Sequence, residues 1–114
     1  MRGVRYYLAG PMTGIPNLNK PLFDMAASIL RGLGHDIVNP AELEQFRSWD
    51  VTMRHALRAM LECDAVILLP GWERSRGALL EFEVAQKVSM TICEYTKWSQ
   101  LENALPDVTN GVTI

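Results

Sequence analysis

The sequence predicts an α/β domain in which a parallel sheet carries helices on both faces. Short apolar runs rich in β-branched and aromatic residues alternate with longer segments whose apolar residues recur at helical spacing. This alternation is typical of parallel sheets, because each crossover between strands carries a helix across the sheet. The length of 114 residues fits one domain, residues 1–114, with a real hydrophobic core.

The first half of the chain supplies two strands and one helix. In order we expect a strand over residues 4–9, a loop over 10–17, a helix over 19–33, a strand over 35–38 and a polar connection over 41–48. Gly10 and Pro11 end the first strand, and Gly34 is a suitable stop for the helix.

The second half repeats the pattern. We expect a helix from residue 49 or 50 to 63, a strand over 65–69, a helix over 75–88 and a strand over 90–95. Residues 97–105 could form a short last helix, and residues 106–114 either are irregular or add an edge strand.

Right-handed crossovers make 2-1-3-4 the simplest strand order, which is that of a flavodoxin-like or Rossmann-like three-layer sandwich with about four to five strands. In this order the sheet has its switch point between strands one and three. The loops after these strands cover residues 10–17 and 70–75. Because open α/β sheets bind ligands at such a point, we expect both loops to border one crevice.

Composition argues against several classes of partner. A formal net charge of −2 gives no electrostatic basis for binding a nucleic acid polymer or a membrane. No apolar run approaches the roughly 20 residues of a membrane span, and the N-terminus enters a strand without a secretory signal. Cys63 and Cys93 are isolated, and His35 and His55 have no closely spaced partner. We therefore expect a cytoplasmic protein with reduced thiols, no metal and no cofactor.

Residues 65–81 combine a strand, a short loop and a helix start. Ser75 can cap the helix, and Gly77 leaves room for a ligand to approach the backbone. The free N–H groups of the first turn favour an anion such as phosphate. Glu81 lies one turn beyond Gly77, with its side chain leaning back toward the opening. The alternative is purely structural, with Ser75 as an ordinary cap and Glu81 as a complement to the helix dipole.

Familiar ligand motifs of this architecture do not occur in the sequence. Residues 10–14 do not supply the glycine pattern of a dinucleotide fold, and the Gly-Lys-Ser/Thr ending of a P-loop is missing. The positions after strands one and three also lack the acidic residues of a receiver domain.

Several motifs in order do resemble a known family. Residues 7–14 read Tyr-Leu-Ala-Gly-Pro-Met-Thr-Gly, residues 39–42 read Asn-Pro-Ala-Glu, and residues 68–73 read Leu-Leu-Pro-Gly-Trp-Glu. With Gly34-His35 and Cys63-Asp64, they resemble the nucleoside 2-deoxyribosyltransferase-like superfamily. The most similar branch is the phage and bacterial domain of unknown function 4406. The resemblance covers about residues 6–90.

The resemblance implies chemistry at an N-glycosidic bond. In characterised superfamily members a glutamate attacks the anomeric carbon of a deoxynucleoside or nucleotide, the base leaves, and water or a second base resolves the ester. The matching glutamate is Glu81. Tyr7 matches a tyrosine near the nucleophile, although a buried strand aromatic is an equal alternative, and Ser75 matches a serine that holds a 5′-phosphate. The other positions implied in substrate binding are Gly10, Pro11, Met12, Thr13, Asn39, Trp72 and Gly77.

The sequence departs from the family pattern at two positions. Family members usually carry an acidic residue where this chain has Ala56, and alanine can neither donate a proton nor accept a hydrogen bond from a hydroxyl. His55 is adjacent but about 100° around the helix. Thr13 replaces a basic residue of the nucleotide-hydrolase branch, which weakens the expected clamp on a 5′-phosphate.

Three functions therefore stay open: an N-glycosidase or deoxyribosyltransferase, an impaired relative that binds a nucleotide or nucleotide-derived signal, and an interaction protein that keeps only the fold. We also expect a homodimer or higher homo-oligomer, since superfamily members are oligomeric with a neighbour completing the site. Four apolar residues, Met25, Ile29, Met53 and Met60, are candidates for the shared face.

Overall fold

A computed structural model describes residues 3–95, which form a four-stranded sheet with three α-helices. The elements in chain order are β1 Arg5–Ala9, α1 Lys20–Gly32, β2 Asp36–Val38, α2 Trp49–Leu61, β3 Ala65–Leu68, α3 Arg76–Lys87 and β4 Thr91–Glu94. Three short 3-10 turns lie in the connections, at Pro16–Asn19, Pro40–Glu42 and Trp72–Arg74. The helix considered for residues 97–105 and the tail 106–114 fall outside the described residues.

The strand order is β2-β1-β3-β4, and every pairing is parallel. Tyr7 of β1 lies opposite Val38 of β2 on one side and Val66 of β3 on the other. The predicted α/β architecture and its 2-1-3-4 order are thereby confirmed. Because β1 and β3 are neighbours at the centre of the sheet, the loops that follow them leave the same edge side by side.

Side chains of the central strands alternate between two cores. Tyr6 and Leu8 pack on one face with residues of α1, including Phe23 and Leu30. On the other face Tyr7 and Ala9 pack with side chains from α2 and α3, among them Met60, Ala78 and Ala85. The sheet is therefore covered on both sides, as the nearly unbroken apolar strands require.

The entry to α1 differs from expectation. Asn17, Leu18 and Asn19 all have positive φ angles of 58°, 52° and 59°, so the helix begins at Lys20. Asparagine tolerates this left-handed region, whereas leucine rarely adopts it. The Asn19 side chain donates a 2.8 Å hydrogen bond to the carbonyl oxygen of Pro11, which ties this turn to the loop after β1.

Two of the four residues expected at an oligomer contact are buried within the folded domain. Met53 and Met60 are buried in the packing of α2, because their side chains face the sheet and α3. That part of the expectation is wrong, whereas Met25 of α1 is 53% exposed. Across residues 3–95, no helix has the length and apolar character needed to cross a bilayer.

Candidate functional site

A cavity of about 540 Å³ opens where the loops after β1 and β3 leave the sheet. Eight of the ten sequence-predicted site residues line it: Tyr7, Gly10, Pro11, Met12, Thr13, Ser75, Gly77 and Glu81. The volume falls within the roughly 300–1,000 Å³ of small-molecule sites. The strand order thus brings two loops that are some 60 residues apart in sequence around one space.

A buried carboxyl group bonded to a buried phenol lies on the wall of this cavity. Glu81 in the second turn of α3 is only 5% exposed, and Tyr7 on β1 is fully buried. The Tyr7 hydroxyl donates a 2.6 Å hydrogen bond to Oε2 of Glu81. Tyr7 reaches the carboxyl because its side chain projects toward α2 and α3, opposite to that of Tyr6. The pair fixes the carboxyl in one orientation.

Burial shifts the proton equilibrium of this pair. Removal from water raises the pKa of Glu81 from 4.5 to about 8, and the hydrogen bond from Tyr7 opposes this by stabilising the carboxylate. Burial and the neighbouring carboxyl together hold the pKa of Tyr7 well above its usual range. Glu81 can therefore exchange a proton near neutral pH, which is typical of groups in reactive sites.

The start of α3 has the cap that the sequence predicts. Ser75 Oγ accepts a hydrogen bond of 3.1 Å from the backbone N–H of Ala78, so Ser75 is the N-cap and lines the cavity as well. A Cβ added at Gly77 would lie 3.3 Å from Sδ of Met53. Gly77 therefore also serves the close approach of α3 to α2, a packing reason that the sequence does not reveal.

The loop after β1 is held by close packing. A Cβ added at Gly10 would lie 2.9 Å from Cβ of Leu69, a separation that real side chains essentially never show. Gly71 has a φ of 88°, and a Cβ there would lie 3.2 Å from Cγ of Pro11. The two loops thus touch directly, which keeps the mouth of the cavity in a fixed shape.

Asn39 and Trp72 lie behind the cavity wall instead of on it. The amide of buried Asn39 donates to Oδ1 of Asp24 at 2.9 Å and accepts from the backbone of Ala41 at 3.0 Å. These bonds set the turn that brings Pro40 to the cavity. The Trp72 indole donates to Oε2 of Glu94 at 2.8 Å and packs against Phe82. Both residues support the site without facing it.

Another part of the wall was not predicted as a binding surface. It comes from the connection before α2 and from α2 itself, and includes Trp49 and His55. The Arg76 guanidinium lies 3.6 Å from the centre of the Trp49 ring, which is a cation–π contact across the cavity rim. The His55 ring stacks on Phe46, with 4.4 Å between centroids. The only signal in the sequence is the pair of aromatics, Phe46 and Trp49, in or beside an otherwise polar connection.

The family model for a domain of unknown function, DUF4406, matches residues 4–94. The chain belongs to this family. The match spans the four strands, the three helices and every residue that lines the cavity. No curated protein matches the chain.

Ala56 of this DUF4406 chain lines the cavity. A methyl group therefore stands where a proton donor or hydroxyl acceptor could have faced a ligand. Arg74 and Arg76 place positive charge on the same wall. Within residues 3–95, no three histidine, cysteine or acidic side chains cluster closely enough to hold a metal ion.

Proposed function

We propose that this DUF4406 protein cleaves the N-glycosidic bond of a nucleoside or nucleotide, with Glu81 as the nucleophile. The observation that carries the proposal is the Tyr7–Glu81 hydrogen bond, a fixed and buried carboxyl on the wall of a cavity of small-molecule size. A carboxylate that attacks carbon must be held within about 3–3.5 Å of it, and a helix packed on a sheet supplies this fixity.

The reaction would proceed by double displacement. Ionised Glu81 attacks C1′ of the sugar, the bond to the base nitrogen breaks, and a glycosyl ester forms. Water then attacks C1′ and releases the sugar, or a second base takes it up. Tyr7 binds Oε2 and thereby orients the other carboxylate oxygen toward the sugar. Tyr7 is a positioning residue in this scheme.

Charge on the wall supports an anionic substrate. Arg74 and Arg76 flank Ser75 at the start of α3, where the free N–H groups of the first turn also favour a negative group. These side chains could bind a 5′-phosphate, for which Thr13 offers no charge. The proposal therefore favours nucleoside 5′-monophosphates over nucleosides.

The test is to incubate the protein with 2′-deoxynucleosides and their 5′-monophosphates and to measure free base by chromatography, with and without an acceptor base. Glu81→Gln should lower the rate at least about 10³-fold, as expected for loss of a nucleophile. Glu83→Gln is the matched control, because Glu83 is exposed on the same helix and does not line the cavity. Base release that survives in Glu81→Gln would refute the mechanism.

Ala56 favours a second candidate, a protein that binds a nucleotide without turning it over. Under this alternative, calorimetry would detect binding of a 5′-monophosphate while no base is released. Ala56→Asp would place a carboxyl in the cavity. If the lack of an acidic side chain at position 56 is the only cause of low activity, Ala56→Asp should raise the rate of base release on the order of 10²-fold or more.

A further inference from the structure

A base leaving a sugar needs a proton, and the cavity offers few groups that can supply one. The electron pair of the broken bond goes to a nitrogen of the base, and protonating the base avoids release of an anion. Of the titratable and charged side chains on the wall, Tyr7 already donates to Glu81, and Glu81 is the proposed nucleophile. Arg74 and Arg76 do not release protons in proteins. Glu44 and His55 remain.

Glu44 and His55 are both exposed, but the His55 ring packs on a neighbouring aromatic side chain. The imidazole stacks on the Phe46 ring at 4.4 Å with an angle of 24° between the planes. Phe46 is itself fixed to the first turn of α2, because its N–H donates to Thr52 Oγ1 at 2.9 Å and its carbonyl accepts from the same hydroxyl at 3.3 Å. This arrangement orients the His55 ring on the cavity wall.

We propose that His55 is the catalytic acid–base residue that protonates the leaving base, in place of an acid at position 56. The inference rests on the proposed function. It is supported by the position of His55 beside Ala56 on the same wall and by the stacking of its ring on Phe46. Histidine is also the side chain best suited to give and regain a proton near neutral pH.

The steps balance with water as the only co-reactant. In the first step the Glu81 carboxylate forms a bond to C1′, the C1′–N bond breaks, and protonated His55 gives its proton to the base nitrogen. In the second step neutral His55 takes a proton from water, whose oxygen attacks C1′ and releases the Glu81 carboxylate. One group serves both steps because the base leaves and water enters on the same face of the sugar.

The competing explanation is that His55 only packs against Phe46. Phenylalanine at position 55 keeps an aromatic stack but cannot transfer a proton. The test therefore compares wild type, His55→Phe, His55→Gln and the exposed-residue control Arg58→Gln. Their substrates are the four natural 2′-deoxynucleoside 5′-monophosphates and 7-methyl-2′-deoxyadenosine 5′-monophosphate. The methylated base is cationic before cleavage, so it leaves as a neutral molecule without a proton.

We expect His55→Phe and His55→Gln to cleave the natural purine nucleotides about 10²-fold or more slowly, while their rates on the methylated nucleotide stay within about threefold of wild type. Arg58→Gln should match wild type on both. An equal loss of rate on the natural purine nucleotides and on the methylated nucleotide, or no loss of rate on either, would overturn the role of His55. If Glu81→Gln cleaves as fast as wild type, or wild type releases no base from any of the five, the proposed function itself fails and this inference fails with it.

Discussion

The hydroxyl of Tyr7 lies 2.6 Å from Oε2 of Glu81, although 74 residues separate them in sequence. One comes from the centre of the first strand and the other from the second turn of the last described helix. The contact is possible because β1 and β3 are neighbours, so that α3, which follows β3, packs over β1. This contact orients the Glu81 carboxyl and affects its pKa, and the first three predictions concern that carboxyl.

Tyr7→Phe should shift the pH dependence of activity upward. The phenol hydrogen bond lowers the pKa of Glu81, so its loss raises that pKa further, and the carboxylate forms only at higher pH. A hydrogen bond to a charged group contributes about 1.5–3 kcal/mol, which corresponds to a shift on the order of one to two pH units. The rate of base release is measured as a function of pH. An unchanged midpoint in Tyr7→Phe would show that the phenol does not act through Glu81.

The rate on a substrate that needs no acid should follow the ionisation of Glu81 alone. Burial raises the pKa of Glu81 to about 8, and only the carboxylate can attack carbon. Cleavage of 7-methyl-2′-deoxyadenosine 5′-monophosphate should therefore rise about tenfold per pH unit below that value and level off above it. Subtraction of the spontaneous cleavage at each pH is the control. A rate that falls as pH rises would instead assign Glu81 the role of proton donor.

Glu81 should make the protein less stable as pH rises from 4.5 to about 8. In this range the folded protein keeps the Glu81 proton, whereas the unfolded chain has lost it, so the folded state binds more protons and stability falls. The free energy of unfolding falls by on the order of 5 kcal/mol for a pKa shift of this size, and it levels off above the pKa of the folded state. Urea unfolding of wild type and Glu81→Gln at several pH values isolates the contribution of Glu81 to the free energy of unfolding. If the difference between the two proteins does not change with pH, the carboxyl is not desolvated.

Gly10→Ala should destabilise the fold and disturb the cavity mouth. The new Cβ would lie 2.9 Å from Cβ of Leu69, and this atom is too close to its own backbone to move away. Overpacking of this kind typically costs about 1–3 kcal/mol. Gly32→Ala in α1 is the matched control, because no atom outside the adjoining helix backbone and the two chain neighbours lies within 4 Å of its added Cβ, and helix propensity favours alanine by up to about 1 kcal/mol. Equal melting temperatures for the two variants would contradict the packing argument.

We propose that the protein self-associates through α1. Met25 is 53% exposed on this helix, and Leu33, just after its end, is 47% exposed. Light scattering should give at least twice the mass of one chain, and Met25→Glu should lower it toward the monomer, because a charge would be buried at the contact. Lys87→Glu, an exposed change on α3, should leave the mass unchanged. A monomeric wild type at high protein concentration would rule out self-association.

The sequence by itself determined the order of elements, the parallel sheet and the helix that carries Glu81. These features depend on local patterns: apolar periodicity, glycine and proline at the ends of strands, and a serine cap at position 75. The order 2-1-3-4 is the simplest one that right-handed crossovers allow, and the structure confirms it together with the meeting of the loops after β1 and β3.

Only the tertiary structure decided which side chains face the cavity and how the pKa of Glu81 is shifted. Asn39 and Trp72 lie in motifs that carry the family resemblance, but their side chains are turned inward by bonds to Asp24 and Glu94, residues distant in sequence. Conversely, His55 lines the cavity because the irregular connection before α2 folds against that helix, and no periodic pattern specifies such a connection. The pKa of about 8 at Glu81 likewise arises from burial beneath several elements. Desolvation depends on everything packed around a group, which a local sequence pattern does not encode.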